Sequence, residues 1–144
     1  MNRSIIFLSG WLLFLLSAPV FAQKKAPEAG KPVAELFYFH TGERCPIDQS
    51  IEEHTRKLVQ AEFSNALKEG LLRFQVINTG DPKFAATIAR FDINAQALYL
   101  VSFSGGREVK KDLTGFAFST AQYNPAKFRT ALRDDLKEAM KEIR

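Results

Sequence analysis

Residues Glu35 to Glu53, ELFYFHTGERCPIDQSIEE, constrain the fold more than any other stretch. Leu36, Phe37, Tyr38 and Phe39 form a short, continuous apolar run, the pattern of a strand buried on both faces. The run breaks at Thr41-Gly42. A helix is expected to open around Cys45, because Pro46 suits a first helical turn and lacks the N–H that such a turn leaves unpaired. A buried strand, a short loop and a Cys-Pro at a helix start place a thiol at the mouth of a sheet. Cys45 is the single cysteine of the chain.

The remainder supplies enough elements for one domain. The first strand reads as about 33–40 and the first helix as about 46–68. The helix has an apolar stripe of Ile47, Ile51, Leu58, Val59, Phe63, Ala66 and Leu67 and a stop at Gly70. A second strand follows at 71–78. Asp81-Pro82, a cap followed by proline, starts a short helix that runs to about Phe91. A third strand at 96–103 turns through Ser104-Gly105-Gly106 into a fourth at 107–113. Glu108, Lys110 and Lys111 on that fourth strand suit a sheet edge. A loop carrying Phe116, Phe118 and Tyr123 leads to Asn124-Pro125 and a last helix with Phe128, Leu132, Leu136, Met140 and Ile143 on one face. The order β-α-β-α-β-β-α predicts an α/β domain with a four-stranded mixed sheet and helices on both faces. Its first two strands should be parallel.

The first 22 residues read as a targeting segment. Arg3 precedes an apolar stretch from Ile5 to Leu16, and Val20 and Ala22 are small residues suited to cleavage before Gln23. The stretch is short for a membrane span, and Pro19 interrupts its continuation. The expected organisation is a signal peptide at 1–22, a flexible lead-in at 23–32 and a domain at 33–144. The protein is expected to be exported, periplasmic or extracellular, and free of the membrane after cleavage. The formal charge of +4, or +3 without Arg3, is spread along the chain with no basic stripe, so nucleic-acid binding is not suggested.

Tyr38-Phe39-His40, Arg44-Cys45 and Ile51-Glu52 resemble the YFH…RC-x-x-C-x-x-IE signature of small exported thioredoxin-like proteins, the nitrophenyl compound nitroreductase subunit ArsF family. Leu113-Thr114-Gly115-Phe116-Ala117-Phe118 and Pro125-Ala126-Lys127-Phe128 are similar to that family as well, so the resemblance runs from about Val33 to the C-terminus. It implies a thioredoxin-like fold and a thiol site. Where the family usually has its second cysteine, this chain has Asp48. Where thioredoxins carry a cis-proline facing the site, the aligned residue is about Gln96.

Dithiol exchange starts with attack by a thiolate and ends when a second thiol resolves the mixed disulfide. With one cysteine that resolution cannot occur within the chain, so full dithiol turnover is not expected. The candidate site is Cys45, Asp48, Arg44 and His40. Cys45 would form mixed disulfides with an unidentified protein or a small thiol. Asp48 is a proton-handling carboxylate or an acid placed in the first helical turn by the dipole. Arg44 tunes the thiol, binds an anion or is a solvated loop residue. His40 is a base or a capping residue. No cofactor is expected. A metal set of Cys45, His40, Asp48 and His54 matches no established spacing, since His54 lies roughly 13 Å along the helix. Glu52-Glu53 with Arg56-Lys57 is the pattern of a solvated helix face. Two other readings stand beside the monothiol one: a non-catalytic binding module on the same scaffold, and a disulfide-linked homodimer through Cys45.

Overall fold

The computed structural model describes residues 34–104 and 107–141. The expected signal segment, the lead-in, the Gly105-Gly106 turn and Ile143 lie outside the described residues. The elements are β1 (Ala34–His40), α1 (Pro46–Glu62), α2 (Ser64–Lys68), β2 (Leu72–Asn78), a 3₁₀ turn (Pro82–Phe84) running into α3 (Ala85–Phe91), β3 (Ala97–Ser104), β4 (Arg107–Asp112), α4 (Thr114–Thr120) and α5 (Pro125–Lys141). The sheet order is β2-β1-β3-β4, with β1 parallel to β2 and antiparallel to β3, and β3 antiparallel to β4. This is the thioredoxin-like α/β arrangement, and β1 is a central strand.

Period-two alternation divides β1 between two cores. Ala34, Leu36 and Tyr38 join the larger core with Ile51, Leu58 and Val59 of α1, Ala117 of α4 and Phe128, Leu132 and Leu136 of α5. Phe37 and Phe39 join the smaller core on the opposite face with Ile77, Phe91, Ala97 and Val101. Because helices cover both faces, β1 reads as an unbroken apolar run. Its one acidic residue, Glu35, is buried on the smaller-core side and is met by Arg73 at 2.9 Å and Arg90 at 3.6 Å. Every residue of β4 is exposed, as its edge position requires.

Three local expectations are met by visible chemistry. Asp81 Oδ1 accepts from the Lys83 N–H, and Asn124 Oδ1 accepts from the Lys127 N–H, so both cap-plus-proline starts work as caps. Gly70 has φ +73°, its N–H reaches Leu67 O, and the Leu71 N–H reaches Ala66 O. That pair of bonds is the Schellman closure of α2. A Cβ at Gly70 would meet nothing within 4 Å, so strain is the only cost of adding one. Gly70→Ala is therefore expected to lower stability by about 1 kcal/mol, read by urea unfolding, without altering the fold. An unchanged midpoint would show that the turn relaxes out of the left-handed region.

Two elements differ from expectation. The single helix expected at 46–68 is broken at Phe63, whose φ of −122° and ψ of 19° end α1 and begin α2. The break keeps the Phe63 ring in the larger core. Ser64-Asn65, which compete for backbone hydrogen bonds, follow it. The loop expected at 114–120 is helix α4. Asp112 Oδ1 accepts from the Thr114 N–H at its start, and Ala117, Thr120 and Ala121 supply a buried stripe. Phe116 and Phe118 are partly buried against the larger core, whereas Tyr123 is exposed.

Candidate functional site: a thiol held by a buried carboxylate

β1 delivers the chain to His40, and five residues later the cap of α1 is reached. Cys45 is the N-cap of α1, with extended backbone (φ −79°, ψ 167°), and Pro46 follows at N1. Its thiol is exposed. The N3 residue of the same helix is Asp48, which reaches back to the cap as an acidic side chain does in a capping box. Asp48 Oδ2 accepts from the Cys45 N–H at 3.0 Å and from the Cys45 S–H at 3.1 Å.

Asp48 is not a solvated first-turn acid: it is fully buried. With Ile51, Thr55, Leu58 and Val59 it forms the inward stripe of α1. The Tyr38 hydroxyl donates to Asp48, shared between Oδ1 and the backbone carbonyl, each at 3.1 Å. Gln96 Nε2 approaches Oδ2 at 3.5 Å and Thr41 Oγ1 at 3.3 Å. Burial by itself would push the Asp48 carboxyl up. The hydrogen bonds from the Cys45 side chain and backbone, from Tyr38 and from Gln96 outweigh it and hold the carboxyl below the usual aspartate value. Burial, with the Asp48 charge beside it, raises the Tyr38 phenol well above its ordinary value, so its proton stays in place as donor.

Arg44 is half-buried rather than free in solvent. Its guanidinium pairs with Glu52 and lies 5.9 Å from the centre of the Tyr38 ring. Glu52 also takes Arg56 at 2.6 Å. Burial acts to raise Glu52, but the two guanidinium partners prevail and lower it, so the pair is ionised. The solvated-face pattern expected for 52–57 therefore holds for Glu53 and Lys57, while Glu52 is recruited to fix Arg44.

Thr41, Glu43, Arg44, Cys45, Asp48 and Gln96 line an open concavity of about 390 Å³. Three of the four candidate residues, Arg44, Cys45 and Asp48, meet there. His40 does not line it: its Nδ1–H donates to Thr41 O at 2.6 Å, which steadies the loop. His54 is engaged elsewhere, accepting at Nδ1 from Arg129 at 3.2 Å. Among the described residues no group of three or more His, Cys, Asp or Glu side chains gathers as a metal ligand set. No helix among them is long and apolar enough to cross a membrane.

One contributor, Tyr38, escapes a reading of the sequence, and a second, Gln96, is marked only by its alignment with the thioredoxin cis-proline. Tyr38 looks like one more aromatic of a buried strand, and only its place on the same β1 face as Leu36 hints that its hydroxyl meets α1. Gln96 carries no local signal. Asp48 did have one, because positions 48, 51, 55, 58 and 59 follow helical spacing and place the acid on the buried side. Chemically, the arrangement presents one accessible sulfur whose S–H donates a hydrogen bond to a buried, ionised carboxylate. No family model matches the chain, and no curated protein matches it.

Proposed function

We propose that this is an exported thioredoxin-like protein, related to the ArsF family, in which Cys45 acts as a monothiol that forms mixed disulfides with a partner protein or a small thiol. The observation that carries the reading is the exposed Cys45 sulfur at a helix N-cap, in an open concavity, with a carboxylate as proton acceptor at 3.1 Å. In the forward step Cys45 sulfur attacks one sulfur of a disulfide. The S–H proton passes by way of Asp48 to the departing thiolate, giving a mixed disulfide and one free thiol. An external thiol then attacks the mixed disulfide, regenerates Cys45–SH and leaves with its own new disulfide. Electrons balance without a second cysteine in the chain. Export rests on the segment from Arg3 to Ala22.

A second reading, a non-catalytic binding module, is favoured by one specific observation. Asp48 is already fully engaged by its donors, and loss of the Cys45 proton would set two anionic atoms 3.1 Å apart. Intact mass of the protein purified from an exporting host without reductant separates the two. The monothiol reading expects cleavage before Gln23 and a thiol adduct or dimer at Cys45 that reductant removes. A thiol that stays unmodified and also fails to exchange with a small disulfide would leave the binding module. Asp48→Cys is further expected to create insulin-reducing activity. A folded variant without that activity would count against an exchange-competent geometry.

A further inference from the structure

We infer that Tyr38 is a positioning residue for the Cys45 thiol, acting through Asp48. The inference rests on the reading of Cys45 as the working sulfur and adds a residue from the middle of the sheet. Tyr38 belongs to the larger core, where phenylalanine would fill the same space. Its hydroxyl adds a buried polar group that must find a partner. The partner is Asp48, itself a buried polar group on the apolar stripe of α1. Each satisfies the other across ten residues of chain. With Oδ1 held by Tyr38, the carboxylate cannot turn about its Cβ–Cγ bond, and Oδ2 stays aimed at the Cys45 N–H and S–H. The same ring lies beside the Arg44 guanidinium. Tyr38 thus touches both charged neighbours of the sulfur without lining the concavity itself.

The other groups around the carboxylate leave this role to Tyr38. Arg44 is paired with Glu52. Glu43 is an exposed residue of the concavity rim. Gln96 is uncharged and reaches Asp48 only at 3.5 Å. Helix α4, TGFAFST, has no ionisable side chain, and the α5 residue Arg129 faces His54.

The test is a cycle of Tyr38→Phe, Asp48→Asn and the double variant. The readout is the rate of Cys45 alkylation by iodoacetamide in the full folded chain, followed as a pH profile. Removing the anionic neighbour in Asp48→Asn should speed alkylation at neutral pH by about tenfold. Tyr38→Phe frees the carboxylate to turn and to take up a proton, and should move the profile in the same direction by about threefold. In the Asp48→Asn background Tyr38→Phe should change nothing further, which a merely structural tyrosine would not reproduce. Multiplying effects, a Tyr38→Phe profile identical to wild type, or an Asp48→Asn profile identical to wild type would each overturn the inference. Should Tyr38→Phe fail to fold, the wild-type protein decides by ¹³C NMR. Tyr38 Cζ should shift with the same midpoint as the Asp48 carboxyl, and a Cζ resonance that ignores that titration overturns the coupling. Alkylation requires no disulfide, so failure of Cys45 to exchange with a small disulfide such as cystamine would sink the monothiol reading alone.

Discussion

Asp48→Ala is expected to destabilise the protein by about 2–4 kcal/mol at neutral pH, since it strands several donors at once. The Tyr38 hydroxyl loses its side-chain acceptor inside the core, and the Cys45 N–H loses its cap. Asp48→Asn keeps an acceptor oxygen and should cost less, about 1–2 kcal/mol. The pH dependence separates charge from shape. The Asp48 carboxyl is held below its ordinary value in the folded protein, so its contribution is fully present above the unfolded aspartate value of about 3.9. It is lost as pH falls through the lower, folded value. The stability gap between wild type and Asp48→Asn, measured by urea unfolding, should therefore be constant near neutrality and narrow below about pH 4. A gap that stays constant on acidification would mean that the donors recognise the shape of the side chain and not its charge.

Phe39→Ala should cost about 3–5 kcal/mol, comparable to the loss of any large buried aromatic ring. Its effect should also be lopsided. Phe39 is completely buried and lies against Phe37, Phe91 and Tyr99, with ring centres 6.1, 5.2 and 6.4 Å away. Phe91 closes α3, a two-turn helix too short to persist on its own. Around it, Arg90 and Lys110 lie over the Phe91 ring, and Lys110 Nζ donates to Arg90 O. Removing Phe39 takes away the base of that stack. Hydrogen exchange should show amides 85–91 losing protection before those of α1 and α5, which pack on the opposite face of the sheet. Residues 92–96 follow α3 directly and carry Gln96 to the thiol concavity, so the same variant should loosen one wall of the site. Uniform loss of protection across the domain would show instead that the two cores open together.

The two perturbations act on opposite faces of β1, and their difference shows how far the fold is readable from residues alone. The continuous apolar run of β1, proline after Asp81 and Asn124, glycine at position 70 and the charged outer strand are local patterns, and each led to an element in its observed place. The pattern misled where local and tertiary demands diverge. Residues 46–68 carry one helical stripe, but burying Phe63 breaks the helix into α1 and α2. Residues 114–120 have a Gly and two Phe that mask a helix, which forms because Ala117, Thr120 and Ala121 can be buried against its neighbours.

The candidate site divides along the same line. By itself the sequence determined that one thiol stands at a helix start after a buried strand, that Asp48 occupies N3 of that helix, and that no second cysteine is at hand. These are facts of spacing within a few residues. Only the tertiary structure decided that Tyr38 fixes Asp48 from the sheet, that Arg44 is tied to Glu52, and that Gln96 closes the far side. Those contacts join residues 8 to 48 positions apart. A buried carboxylate takes its charge state and orientation from whichever donors the fold brings to it, and no local pattern specifies that company.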